Sequence, residues 1–298
     1  MTERVRKLFD ERFLKRLEHL HLVSRKIVAG RQRADRRSKR VGSGLEFADH
    51  RDYTAGDDLR YLDWTVYARM EKLLLRMYEE EEDLTVYFLV DASRSMDLRL
   101  DNTSKFDHAA RAAAALAYVA LANLDRVCIV PFSDRLLDRM PPTRGKNQIF
   151  KVFQFLEKLP TGGVTGLQHC VRQFVHQNSR RGMVVLLSDF FDPEGYADAI
   201  NYLRYNRYEP LVIHLTDDNE ANPALRGDMT VVDCETGLRQ DVTITPRLLE
   251  RYRALHTELS SGLETLCRRS EISYFRTPIQ VPTDEVVLRI FRAGGFLR

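Results

Sequence analysis

Three apolar runs, FLVD ending at Asp91, VVLLSD ending at Asp189 and VIHLTD ending at Asp217, each deliver an aspartate at their last position. Nothing else in the chain limits the fold as tightly. Runs that are almost wholly apolar, with no strict alternation, suit strands buried on both faces. LLLRMY, from Leu73, and RVCIVPFS, from Arg126, read as further strands by their branched and aromatic content. Between the runs lie helical stretches at Ser104–Leu124, Asn147–Lys158, Gly166–Asn178 and Pro193–Asn206. Strand and helix alternate, so the chain predicts an α/β fold with a mainly parallel sheet and helices on both faces. Ligands of such sheets bind beyond the carboxyl ends of the strands, where strand order switches. The three aspartates are therefore expected on one rim.

The flanks are different. From Thr2 to Val28 the apolar residues Val5, Leu8, Phe9, Phe13, Leu17, Leu20 and Ile27 recur at helical steps, predicting an amphipathic helix over 1–30. It would pack on its own domain or dock on a partner or, peripherally, on a membrane. Arg25–Gly44 holds eight Lys or Arg residues against Asp35 alone, while Glu79–Asp83 is wholly acidic. The segment 31–83, with its turn formers and alternating charges, reads as a basic linker and a loop-rich arm, leaving 84–298 for the main domain. Near the other end, DMTVVDCETGLRQDVTI carries a Thr-Gly turn between two β-like runs, a hairpin. A helix over Pro246–Arg269, a strand at ISYF and a helix around Glu285–Ala293 follow.

With 30% charged and 44% apolar residues, the chain has the balance of a globular domain. No apolar run approaches the roughly 20 residues of a membrane span, and no secretory signal is legible, so a cytoplasmic location is expected. The four cysteines form no CxxC pair, which argues for reduced, buried thiols and against a zinc site or disulfide framework.

Asp91 opens the stretch DASRS, and three chemistries compete for it. GSGLEF has Phe47 in place of a third glycine and TGGVTG lacks a lysine, so neither is a phosphate loop. Ser93 lies between Ala92 and Arg94, not in the GxSxG setting of a nucleophile, and no motif places a histidine base. An aspartyl phosphotransferase carries a second acid two residues after its nucleophile, where this chain has Ser93. A cation seat fits better. In an extended loop Asp91, Ser93 and Ser95 face one centre, offering hard oxygens to Mg²⁺, or to Mn²⁺ or Ca²⁺. Two hydroxyls and one or two carboxylates leave such an ion short of negative charge, so it attracts an acidic ligand from outside.

DASRS, then Thr165 in TGGVTGL, then Asp189 in LLSDF, resemble in order and setting the metal-ion-dependent adhesion site of von Willebrand factor A domains. Val164 separates the glycine pair from Thr165, which leaves Thr161 as a rival. Phe190 stands where glycine often follows the last aspartate. The longer segment from Gly42 through Trp64 to Asp83 resembles the signature of the bacterial domain of unknown function 58 family, usually read as von Willebrand factor A-like and found beside MoxR-type AAA+ ATPases.

These resemblances imply a von Willebrand factor A-like domain that is not an enzyme and acts as a Mg²⁺-dependent adaptor in the assembly or maturation of complexes. Ser93, Ser95 and Thr165 would bind the ion by hydroxyl oxygen, with Asp91 and Asp189 holding it directly or through water. The partner would supply an acidic side chain, from a MoxR-type ATPase or its client. Nucleic-acid binding or metal-dependent phosphodiester cleavage is the alternative, drawn from the basic block. Nucleases of that kind gather more acids than hydroxyls around the ion, the reverse of this set. In the arm, Asp57, Asp58, Arg60, Asp63, Trp64 and Arg69 read either as a salt-bridged clasp anchored by Trp64 or as a partner surface.

Overall fold

The computed structural model describes residues 8–30, 37–41, 46–81, 84–99, 103–294 and 296. In chain order the elements are α1 (Glu11–Gly30), β1 (Arg37–Val41), β2 (Glu46–Asp52), α2 (Trp64–Met70), β3 (Leu74–Glu81), β4 (Thr85–Asp91), α3 (Lys105–Ala122), β5 (Arg126–Phe132), β6 (Met140–Arg144), α4 (Ile149–Lys158), α5 (Leu167–Gln177), β7 (Met183–Ser188), α6 (Ala197–Tyr205), β8 (Glu209–Thr216), α7 (Asp218–Ala221), β9 (Gly227–Val232), β10 (Arg239–Ile244), α8 (Pro246–Arg269), β11 (Ser273–Pro278) and α9 (Thr283–Ala293). Two compact units result: residues 28–83, and 84–297 together with the described part of the segment up to Ile27.

In the larger unit a six-stranded sheet runs β11-β8-β7-β4-β5-β6. All neighbours pair in parallel except β6, which is antiparallel to β5. Every residue of β4 and β7 is buried, as near-continuous apolar runs require, and each large side chain so removed from water contributes roughly 1.5–3 kcal/mol. The chain builds outward from β4 to β6, then crosses back to β7 and builds the other way. The crossing puts the switch in strand order between β4 and β7, whose ends carry Asp91 and Asp189. One face packs Tyr87, Leu89, Val184 and Leu186 against α5, α6 and α8. The other is covered by α3, whose alanines allow close approach and whose start is fixed by a reciprocal Ser104–Asp107 capping box.

β6 departs from expectation. Pro141 and Pro142 disguise it as a turn, yet an edge strand tolerates residues without an N–H. The helix read over 1–30 is described from Glu11 to Gly30, and its part up to Ile27 belongs to the larger unit. Leu8, Leu17 and Leu20 are buried, Phe9 stacks on Phe153 with centroids 4.4 Å apart, and the N–H groups of Leu8 and Phe9 donate to Glu157 at 3.0 and 3.4 Å. Among the described residues no helix is long and apolar enough to cross a membrane. Val5 lies outside the described residues.

The arm over 31–83, expected to be loop-rich, is a three-stranded antiparallel sheet in the order β1-β3-β2, with α2 beside it in sequence. β1 and β2 are too polar to announce themselves, whereas LLLRMY marks β3, and among the described residues Leu62 and Leu75 supply buried apolar side chains. The register sets Arg37 against Glu81 and Lys39 against Glu79, so the basic and acidic runs lie in adjacent strands. Residues 31–36 and 42–45 of the basic block, and 82–83 of the acidic run, lie outside the described residues.

Candidate functional site

The loop leaving β4 turns back on its own aspartate. The Ser93 N–H donates to Asp91 Oδ1 at 2.9 Å, and Ser188 Oγ, at the end of β7, donates to Asp91 Oδ2 at 2.6 Å. Both oxygens of Asp91 are thus engaged from within. Ser93 Oγ lies 3.0 Å from Ser95 Oγ, and Ser95 Oγ donates to Asp189 Oδ2 at 3.1 Å. Asp91, Ser93 and Asp189 are fully buried and Ser95 is nearly so. Four of the five expected ligands therefore form one hydrogen-bonded run across the switch point.

The glycine loop lies against this run, because the Gly162 N–H donates to Ala92 O at 2.8 Å and the Arg94 N–H to Gly163 O at 3.1 Å. Its two threonines have different partners. Thr161 Oγ1 donates to Asp97 Oδ2 at 2.7 Å. Thr165, also buried, gives its N–H and its hydroxyl to Glu235, at 3.1 and 2.9 Å.

Phe190 adopts φ 59°, a left-handed conformation that disfavours a bulky residue by roughly 1–2 kcal/mol and suits glycine. Its fully buried ring, 5.8 Å from His214 and 6.3 Å from Tyr196 between centroids, offsets that strain. The turn is needed to aim backbone donors inward: the Phe190 N–H reaches Ser188 Oγ at 2.9 Å and the Phe191 N–H reaches Asp189 Oδ1 at 3.2 Å.

The electrostatics centre on a lysine. Lys105, the first residue of α3, is buried and sets its ammonium 2.8 Å from Asp189 Oδ2 and 2.7 Å from Glu220 Oε1. Burial opposes its charge, but Asp189 and Glu220 outweigh burial and hold it protonated. Burial raises Glu220 in spite of Lys105. Asp91 is pushed up to about 7, first by burial and then by the charge of Asp189, against the pull of Ser188 and Ser93. Two carboxylates at the switch point thus repel each other, and Lys105 directly serves Asp189 alone of the pair.

A hard divalent ion suits this donor set. Neighbouring oxygens of an octahedral Mg²⁺ shell, with bonds of roughly 2.1 Å, stand roughly 3.0 Å apart. The Ser93–Ser95 and Ser95–Asp189 oxygens lie 3.0 and 3.1 Å apart, as the hydrogen bonds between them require, a separation also compatible with that edge. Among the described residues no three His, Cys, Asp or Glu side chains gather as a metal cluster, so a site here draws on hydroxyls.

Lys105, Glu220, Ser188 and Glu235 escaped sequence reading. Lys105 left one trace, a cation opening an alanine-rich helix; Glu235 left none. Asp217 caps α7 through the Asn219 N–H at 2.9 Å and accepts from Gln280 at 2.9 Å. Cys128, Cys170 and Cys267 are buried thiols, raised to about 11, 12 and 12 by burial, whereas Cys234 is only partly buried.

The arm's polar set divides. Asp63 is its hub: it caps α2 through the Thr65 and Val66 N–H groups at 3.0 and 3.2 Å, and binds Arg76 at 2.9 Å and His50 at 3.0 Å. Hydrogen bonds from Arg76 and then His50 hold its carboxyl well below the usual range. Asp57 pairs with Arg51 at 2.7 Å, and Asp58 with Arg60 at 2.5 Å. Trp64 is no anchor: it is 60% exposed, edge-on to Tyr67, because its place at the start of α2 turns it outward. Arg69 is exposed and outside these pairs.

The family model described as "Protein of unknown function DUF58" matches residues 49–261. Uncharacterized proteins of Mycobacterium bovis and Mycobacterium tuberculosis are each 26% identical over 193 residues, 64% of this chain, and the chain spans only 61% of their length. Among solved structures, the conserved hypothetical protein BatB of Bacteroides thetaiotaomicron aligns at 13% identity over 70% of this chain and 96% of that one, with a TM-score of 0.45. An aerotolerance-related membrane protein of Bacteroides fragilis aligns at 15% identity over 70% and 99%, with a TM-score of 0.46.

Proposed function

The chain belongs to the DUF58 family of proteins of unknown function, and from that premise we propose that its larger unit is a non-enzymatic, Mg²⁺-dependent protein-binding module of the von Willebrand factor A type. The observation that carries the reading is the convergence of the Ser93, Ser95 and Asp189 side-chain oxygens in one buried run at the strand ends. The strand order supports it: ligands of doubly wound sheets bind beyond the strand ends at the switch in strand order, which in this chain lies between β4 and β7.

In this reading Ser93, Ser95 and Asp189 hold the ion, Thr165 adds a hydroxyl, and Asp91 orients the loop through its bond to the Ser93 N–H. The bound ion supplies a Lewis-acidic anchor for a carboxylate. Residues of the chain do the rest. Lys105 offsets one of the two charges of Asp189 and Glu220, so the site repels a partner's acid less than its carboxylates alone would. Manganese fits the same donors. The partner presents an acidic side chain, and the family resemblance suggests a MoxR-type AAA+ ATPase or its client, in the cytoplasm.

The test is calorimetry of Mg²⁺ binding to wild type and Ser93→Ala/Ser95→Ala protein, followed by pull-down of a purified MoxR-type ATPase from the same genome in Mg²⁺ or EDTA. Binding of both, lost together in the variant, supports the reading. Absence of Mg²⁺ binding to the wild type overturns the cation seat, and equal ATPase recovery in EDTA overturns the metal-bridged contact.

A further inference from the structure

An acid already stands at the edge of the site. The turn of the β9–β10 hairpin is built on Asp233, whose Oδ1 accepts from the Glu235 and Thr236 N–H groups at 2.8 and 2.9 Å, and whose carbonyl accepts from the Gly237 N–H at 2.9 Å. Gly237, at φ 73°, lets the chain close that turn. The turn presents Glu235, and both its carboxylate oxygens are taken by Thr165, one by the hydroxyl and one by the N–H.

The rest of the hairpin has little to hold it. Among the described residues β9 and β10 pair only with each other, outside the six-stranded sheet. Val231, Val232 and Leu238 are 42%, 51% and 72% exposed. A two-stranded hairpin is marginal in water by itself, so its docking at the tip decides where it sits. Thr165 belongs to the glycine loop that bonds Ala92 and Arg94, so its bond to Glu235 brings the tip to the same rim.

We propose that Glu235 is the chain's own acidic ligand for this site: the hairpin tip occupies the place of the partner's carboxylate, and a partner engages by displacing it. The proposal rests on the cation-seat reading for the role of the ion, but its latch, Thr165 to Glu235, exists without one. A tethered ligand competes at an effective concentration of roughly millimolar. Weak acids are therefore kept out, and a partner needs either contacts beyond one carboxylate or a means of lifting the hairpin.

The probe is a fluorescent hexapeptide, Asp-Ser-Glu-Thr-Gly-Leu, copying the tip with serine in place of Cys234. Its binding to full-length wild type and Glu235→Gln protein is followed by anisotropy in Mg²⁺, beside a control peptide with glutamine for glutamate. Hydrogen exchange of residues 227–244 is measured in EDTA. The expected result is at least tenfold tighter binding to Glu235→Gln than to wild type, no binding of the control peptide, and faster exchange of the hairpin in the variant. Equal peptide affinities, or unchanged exchange, overturn the proposal. Calorimetry on the same samples separates the two readings: if neither protein binds Mg²⁺ while the hairpin still loosens in Glu235→Gln, the cation seat falls and the latch stands.

Discussion

Replacing Asp91 with asparagine is expected to stabilise the metal-free protein in alkaline solution. Burial and the charge of Asp189 raise Asp91 from 3.8 to about 7. At about 1.36 kcal/mol per pH unit, ionised Asp91 costs the folded state about 4 kcal/mol relative to its protonated form. Because the folded value lies above the unfolded one, the stability contributed by the protonated group is complete below pH 3.8 and is lost as pH rises through about 7. Asparagine is neutral throughout. Its oxygen still accepts from the Ser93 N–H and its amide can donate to Ser188, so what disappears is the extra strength of a charged acceptor, about 1–2 kcal/mol. The net gain is about 2–3 kcal/mol at pH 8 and about zero at pH 4.5, or roughly 4–10 °C in melting temperature at the higher pH. Glu220 is also raised by burial, but it titrates in both proteins and cancels in the difference. Thermal melts of the two proteins in EDTA at pH 4.5 and pH 8 provide the assay. A difference that does not grow between the two pH values would refute the claim that Asp91 carries uncompensated charge.

Ser93→Ala/Ser95→Ala should weaken Mg²⁺ binding at least tenfold in calorimetry while lowering stability by only about 1 kcal/mol per lost hydroxyl bond; unchanged affinity would remove these residues from the ligand set. Lys105→Met leaves Asp189 and Glu220 buried without their ammonium, so urea melts in EDTA should show a loss of about 3–5 kcal/mol. Mg²⁺ should then restore more stability to this variant than it adds to wild type, and no difference between them would mean that lysine and ion do not share Asp189. In the arm, Trp64→Ala should change stability by less than about 0.5 kcal/mol, as for an exposed side chain, whereas Asp63→Ala should lower the melting temperature visibly by uncapping α2 and releasing Arg76 and His50. The opposite ranking would return Trp64 to the role of anchor.

The sheet was legible because its strands are buried on both faces and so cannot hide their apolar character; α8 was readable to its ends through Thr245, its cap, and Pro246, its first residue. β6 was not, since two prolines erase the local signal and only its place at the sheet edge makes the segment a strand. Of the arm's sheet only β3 was read, from LLLRMY; the polar β1 and β2 pair with it by backbone register, which composition does not encode. Within the site, the residues read in advance sit on the strand ends and their adjoining loops, where the fold rule itself pointed. Lys105 meets Asp189 across 84 positions and Glu235 meets Thr165 across 70. Such pairings follow from how α3 and the hairpin return to the rim, a property of tertiary packing and not of any window along the chain.

Pro141 and Pro142 have one more consequence. They take two N–H donors from β6, at the outer margin of the six-stranded sheet, and a margin poorer in donors is a weaker template for a foreign strand. Fibre-like growth from that side is disfavoured, and so is the strand-addition mode of peptide capture. That flank of the sheet is thereby a poor place for copies of the chain to zip together.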